Sequence, residues 1–275
     1  MSSFPFKNIL LATEHTEFDI GAERLALAIA LRFGIPLRAI LTIESNPVYE
    51  VVAPELALRT EKGIATRIGA LQDTAKKIGV QLEIVVRHGT EPDREIVAEA
   101  VQSKADLIVI RRRGSPSYLA NLLIGEMVSK VIRDAPCAVL MAPRSAEFWQ
   151  HAILAAVNST PVSQNIAKVA ATLSKACDIP LTLISVAENQ AEQTETEGIN
   201  AKIVELASAL SGKVKGRVLI GKPVAQISEM AKVISADLIV IGRQRYHIIP
   251  FSLGRASIMQ QIAGATDVAT LIVPA

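Results

Sequence analysis

Aromatic residues are scarce in this chain: one Trp, three Tyr and six Phe stand among 275 residues, half of which are apolar. Its core must therefore be assembled mainly from Ile, Leu, Val and Ala, a composition that suits parallel strands buried on both faces. Cysteine is scarcer still. Cys137 and Cys177 lie far apart beside apolar or helical sequence, which excludes a C-x-x-C redox pair and reads as two buried free thiols. Neither sign of charge dominates, since the net charge is +2 and the balance is nearly even in residues 1–144 and in 145–275. That excludes a basic domain or a polyanion-binding arm. Arg111-Arg112-Arg113 can meet a phosphate but is too short a run to indicate nucleic-acid binding. Long apolar runs are also missing. The opening MSSFPFKNILLAT enters one too short to span a bilayer and shows no small-residue cleavage signal, so the expected setting is cytoplasmic and reducing, with no membrane partner.

Several catalytic signatures are absent as well. No G-x-x-x-x-G-K-[ST] phosphate loop occurs, and neither candidate strand-to-helix turn carries G-x-G-x-x-G; this argues against a P-loop ATPase and a nicotinamide dehydrogenase. There is no G-x-S-x-G nucleophile elbow. His15, His88, His151 and His247 show no zinc-ligand spacing with Cys, Asp or Glu, so no metal site is expected. Glu14 and His15 are the most suggestive proton carriers, but adjacency in sequence does not make two side chains converge.

What the chain does have is an internal repeat. KNILLATEHTEFDIGAERLALAIALRFGIPLRAILTI reads as strand, polar turn, helix and strand, and HAILAAVNSTPVSQNIAKVAATLSKACDIPLTLISV repeats that order from His151. EPDREIVAEAVQSKADLIVI is echoed 131 residues on by KPVAQISEMAKVISADLIVI. Shared order across two segments is stronger than either match alone. Each half supplies five short apolar runs that read as buried strands: about 7–12, 37–43, 82–87, 106–110 and 138–142, then about 151–157, 180–186, 215–220, 237–241 and 269–273. Helices fall between them, such as 19–33, stopped by Gly34-Ile35-Pro36, and 161–177, stopped by Asp178-Ile179-Pro180. Alternating strands and helices predict an α/β chain of two doubly wound domains, each with a parallel sheet and helices on both faces. The expected division is 1–144, a short junction at 145–150, and 151–275, with the two domains packed as an internal pair. Residues 44–56 and 187–198 read as surface connections. Asp106 and Asp237, ahead of strand four in each repeat, read as organisers of a helix-to-strand turn.

In an open parallel sheet, ligands sit beyond the carboxyl ends of the strands, where adjacent connections diverge. The segments after strand one, Thr13–Thr16 and Asn158–Thr160, and after strand four, Arg111–Ser117 and Gly242–His247, are the places so defined. Gly114 and Gly125 in the first half, and Gly242, Gly254 and Ser257 in the second, can bring backbone amides to an anion at a helix start. Arg243, Arg245 and Arg255 add charge there.

The ordered combination of ADLIVIRRRG with LLIGEMVSKVIRDAPCAVLMAP, and of KPVAQISEMAKVISADLIVIG, resembles two universal stress protein domains in tandem, and the likeness covers nearly the whole chain. The resemblance implies five-stranded parallel sheets of order 3-2-1-4-5. In some family members ATP is held by an acidic residue after strand one and a G-x2-G-x9-G-(S/T) pattern after strand four. By that resemblance Glu14 stands for the acidic residue in the first half, Arg111 replaces the first glycine, Gly114 and Gly125 take the next two with ten residues between them, and Glu126 replaces the Ser or Thr. In the second half Asn158 stands for the acidic residue, Gly242 keeps the first glycine, Arg245 replaces the second, Gly254 matches the third, and Arg255 replaces the Ser or Thr, with Ser257 nearby. The implied function is a stress-associated regulatory or interaction protein with degenerate nucleotide-binding loops. An adenine-nucleotide sensor is the alternative, and slow ATP hydrolysis ranks last. No cofactor is firmly implied, ATP or another adenine nucleotide remaining open, as do a small anionic ligand, a protein partner and a homodimer.

Overall fold

The computed structural model describes residues 4–44, 54–112, 125–243 and 258–274. These fall into two compact units: 6–112 with 125–144, and 145–243 with 258–274, Phe4 and Pro5 grouping with the second. In the first unit the elements run β1 (Ile9–Ala12), α1 (Ile20–Phe33), β2 (Leu37–Glu44), α2 (Pro54–Lys77), β3 (Leu82–Gly89), α3 (Pro92–Gln102), β4 (Leu107–Arg111), α4 (Glu126–Asp134) and β5 (Ala138–Ala142). The strand order is β3-β2-β1-β4-β5, with the β1–β2, β1–β4, β2–β3 and β4–β5 pairs all parallel. Ile9 stands between Leu37 and Leu107, so β1 is central, and the expected 3-2-1-4-5 order is what the unit adopts.

Continuous apolar runs explain that arrangement. Every residue of ILLA in β1, LIVIR in β4 and AVLMA in β5 is buried, as a parallel sheet covered on both faces requires. On α1 the small residues Ala22, Ala26 and Ala30 are buried beside Leu25 and Ile29. Gly34 closes α1 in the left-handed region, φ 64°, its N–H donating to Ala30 O, the usual glycine helix stop. Gly21 has a different reason: a Cβ there would fall onto the Pro143 carbonyl, so only glycine lets the chain leaving β5 pass against the start of α1.

The second unit repeats the plan with β6 (Ile153–Ala156), α5 (Val162–Cys177), β7 (Leu181–Ala187), a 3-10 turn at Gln190–Glu192, α6 (Gln193–Ser208), β8 (Val214–Ile220), α7 (Pro223–Val233), β9 (Leu238–Gly242), α8 (Ile258–Ala265) and β10 (Ala269–Val273). Its strands run β8-β7-β6-β9-β10, with each of its four pairs parallel. Asp178 stands where Gly34 does, φ 60°, and closes α5 with its N–H on Ser174 O. Ile9 to Gly34 and Ile153 to Asp178 are equally long, and Thr13 N on Ile40 O is matched by Val157 N on Ile184 O. Residues of the two units can therefore be equated one for one through β1–β2 and β6–β7.

Two expectations change in detail. The stretch 187–198, read as a surface connection, is helical from Gln193 onward. Asn189 accepts from Ala191 N and Glu192 N, and the acidic residues that suggested a loop lie near a helix N-terminus, where negative charge is favourable. Residues 54–56 likewise open α2. In the segment 145–150 Trp149 is buried, Ser145 Oγ donates to Asp267 at 2.7 Å, and Gln150 N donates to Asp237 at 2.6 Å.

Asp106 and Asp237 have a sharper role than turn formation. Asp106 accepts from Lys7 N at 2.8 Å and Asn8 N at 3.0 Å, and Asp237 accepts from the amides of Gln150, His151 and Ala152. Each carboxylate thus pins the entry to its unit's central strand. Cys137 and Cys177 are buried free thiols, as expected.

One charge lies deep in the first unit. Glu99 on α3 is fully buried, accepting from Arg38 of β2 at 2.8 Å and from Arg87 of β3 at 2.7 Å. Arg87 also reaches Gln102, and Arg38 reaches Glu83 at 2.7 Å. By strand register and by the matching Pro92 and Pro223 helix starts, the corresponding residues of the second unit are Thr182, Leu219 and Met230. The ion-paired cluster there gives way to uncharged residues.

Candidate functional site

β1 and β4 of the first unit pair in register, and their connections leave in opposite directions, which makes their carboxyl ends the ligand position of a doubly wound sheet. At that point β4 ends not in an apolar residue but in Arg111, whose side chain is buried. Its Nη1 lies 3.2 Å from both oxygens of Asp19, and its Nη2 donates to Glu14 Oε1 at 2.8 Å. Asp19 is 1% exposed and Glu14 partly exposed. Asp19 precedes α1 but makes no capping bond to it; its Oδ2 accepts from Thr16 N at 3.0 Å and Thr16 Oγ1 at 2.6 Å. The turn after β1 is therefore folded around a guanidinium.

A second cluster lies beside it. Thr13 Oγ1 donates to Glu23 Oε1 at 2.6 Å and accepts from His15 N at 2.9 Å, while His15 Nδ1 lies 3.0 Å from Glu23. His15 occupies the left-handed region, φ 52°, held by these contacts from both its amide and its ring. Glu14 and His15 thus turn to different partners, Arg111 and Glu23, and do not converge on one substrate atom.

The same place in the second unit is neutral. Glu14, Asp19 and Arg111 correspond to Asn158, Ser163 and Gly242. Asn158 Oδ1 accepts from Thr160 N at 3.1 Å and from Ser163 Oγ at 3.0 Å, and Asn158 N donates to Ser163 Oγ at 2.9 Å. Gly242 ends β9 opposite Val273. A Cβ on Gly242 would lie 3.0 Å from both Ile166 Cδ1 and Val162 Cγ1 of α5. In the first unit Ala22 stands where Ile166 does and Phe18 where Val162 does, so the two side chains beside the strand end differ in size in opposite senses.

Of the residues singled out by sequence, Glu14 and Asn158 lie at the carboxyl ends of β1 and β6, and Gly242 and Arg243 at the end of β9. Arg243 N donates to Val273 O at 2.8 Å, as Arg112 N does to Ala142 O at 2.9 Å. Gly125 directly precedes α4 with φ −57°, and a Cβ there would meet nothing within 4 Å, so its backbone does not require glycine. Gly114, Gly254, Arg255 and Ser257 lie outside the described residues. Glu126 does not turn toward Arg111: its side chain is 76% exposed and pairs with Lys130 at 3.1 Å, pushing that amine up from its ordinary value.

Sequence reading missed Asp19, Glu23 and Ser163. Asp19 resembles an ordinary helix cap, and the signal that betrays it is the arginine ending an otherwise apolar LIVIR strand, which needs a buried carboxylate nearby. Among the described residues no group of three or more His, Cys, Asp and Glu is placed to hold a metal ion, and no helix is long and apolar enough to cross a membrane.

Comparison with known proteins gives one answer. The model of the universal stress protein family matches residues 5–143 and again 151–274. A universal stress protein of Thermus aquaticus is 32% identical over 139 residues, covering 50% of this chain and 98% of its own. One from Synechocystis is 23% identical over 259 residues, 86% of this chain and 89% of its own. Among solved structures, a universal stress protein of Archaeoglobus fulgidus superposes with a TM-score of 0.74 at 17% identity, covering 97% of this chain and 96% of that one. With the family matched twice in succession and the same sheet order built in each unit, the chain belongs to the universal stress protein family.

Proposed function

We propose that this chain is a stress-associated regulatory or interaction protein rather than a catalyst, and that only its second strand-end site is suited to an adenine nucleotide or another small anion. The observation that carries this reading is the contrast between Arg111, buried and ion-paired, and Gly242 at the equivalent strand end. At the first site a phosphate approaching Glu14 and Asp19 meets like charge, and the neighbouring cation is already engaged by both carboxylates. At the second, Asn158, Thr160 and Ser163 present neutral polar groups, and the arginine that follows the strand end, Arg243, matches Arg112 of the first. Family membership supports the stress-associated setting, and a cytoplasmic location belongs to the same proposal.

Protein purified without added nucleotide is examined by denaturing mass spectrometry and then titrated calorimetrically with ATP, ADP and AMP. One saturable site per chain is expected, lost in Gly242→Val and kept in Glu14→Ala. Two sites, or a single site that Glu14→Ala removes, reverses the assignment. Absence of any site leaves the interaction role and removes the ligand. ATP turnover proportional to purified protein would overturn the non-catalytic reading.

A further inference from the structure

We infer that Arg111 is a built-in occupant of the first strand-end site: its guanidinium, seated on Asp19, takes the place of an external ligand and closes that site. The inference rests on the reading above, that the strand ends are where these units take ligands, and adds the regulation of the first one.

Four observations converge. Arg111 is the last residue of β4 and lies next to β1, at the switch point of the sheet. Its charge is buried, which is tolerable only because two carboxylates hold it, Asp19 by both oxygens at 3.2 Å and Glu14 at 2.8 Å. Ala22 stands where the second unit has Ile166, so one of the two helix residues facing the strand end is small where β4 ends in a buried arginine. Finally, the three charged residues are replaced together by Asn158, Ser163 and Gly242, as expected if the carboxylates serve the guanidinium and have no purpose without it.

An occupant differs from a merely structural ion pair in that a free molecule of the same chemistry can take its place. Full-length Arg111→Gly is compared with the triple variant Glu14→Asn, Asp19→Ser, Arg111→Gly, which copies the second unit. Melting temperature is measured in millimolar methylguanidinium chloride and in sodium chloride of equal strength. Arg111→Gly should melt lower by roughly 5 °C or more and recover much of that loss in methylguanidinium alone, whereas the triple variant should show no such recovery. Calorimetry with ATP should give the triple variant one site more than the parent chain.

A folded Arg111→Gly protein that methylguanidinium does not restore overturns the inference, as does a triple variant that gains no site while the second unit binds nucleotide. If neither protein binds nucleotide, the ligand reading of the second unit fails, and methylguanidinium recovery still decides whether Arg111 is an occupant. Should Arg111→Gly not fold, Arg111→Gly combined with Glu14→Gln, which removes one unpaired carboxylate and keeps Asp19 as the seat, takes its place in the melting experiment.

Discussion

Glu99 keeps its charge in the interior of the first unit. Burial by itself would raise its pKa, but hydrogen bonds from Arg87 and then Arg38, with the attraction of both cations, more than offset this and hold it below its ordinary value of 4.5. A carboxylate whose folded pKa is depressed adds stability that is present above the unfolded pKa and is lost as pH falls through the folded one. Glu99→Gln is expected to cost about 3 kcal/mol at neutral pH, the low end for a broken buried pair because both guanidiniums keep some access to water. It should also flatten the loss of stability that sets in below about pH 4.5, where the carboxyl protonates in the unfolded chain before it does in the native one. Urea titrations at pH 7 and pH 4 measure both effects. Gly21 is tested in the same way. Since a Cβ there meets the Pro143 carbonyl, which is backbone and not a flexible tip, Gly21→Ala should destabilise by about 2–3 kcal/mol with the urea dependence unchanged.

At the scale of the element, each central strand is anchored by one aspartate from the turn ahead of its neighbour. Asp106→Ala removes the acceptor for Lys7 N and Asn8 N, and Asp237→Ala the acceptor for three successive amides. Each change should cost about 1–3 kcal/mol and speed amide hydrogen exchange at the entry to β1 or β6 respectively, without touching the other strand. These elements were largely legible in the sequence. ILLA, LIVIR and AVLMA are too continuously apolar to be anything but strands covered on both sides, and Gly34-Ile35-Pro36 punctuates α1 unambiguously. The start of α6 was not, because its acidic residues look the same in a solvated loop and in the first turns of a helix. The site was half legible. Glu14, Asn158 and Gly242 follow from the strand ends, whereas the arginine ending LIVIR signals only that some carboxylate is needed, and folding is what brings Asp19 to it from a distant part of the chain.

For the molecule as a whole, the two units respond to acid for different reasons. The first holds the Arg38–Glu99–Arg87 cluster, and the second has Thr182, Leu219 and Met230 in those positions, with Met230 and Thr182 buried. Acid therefore withdraws from the first unit a buried, ion-paired charge that the second does not carry at those positions. Trp149, the one tryptophan of the chain, belongs to the second unit, so its fluorescence reports that unit selectively. On lowering the pH, far-UV circular dichroism should begin to change before Trp149 fluorescence does, and the gap should narrow in the triple variant Arg38→Thr, Arg87→Leu, Glu99→Met. Coincident transitions in the parent chain would show that the cluster does not set the order of unfolding.

The pairing of Arg111 with Asp19 and Glu14, and the close approach of Gly242 to Ile166, restrict how this duplicated chain can change. Gly242→Arg alone drives a long side chain against Ile166 and Val162, while Ile166→Ala alone leaves a hole worth about 2–4 kcal/mol. Moving a residue from one half to its twin position is harmful singly and tolerable only in company, and a carboxylate must follow the arginine for its charge to be accepted. Duplication supplied two copies of one design, but point exchange can no longer make them alike: the halves have become historical alternatives, separated by substitutions that must cross as a group.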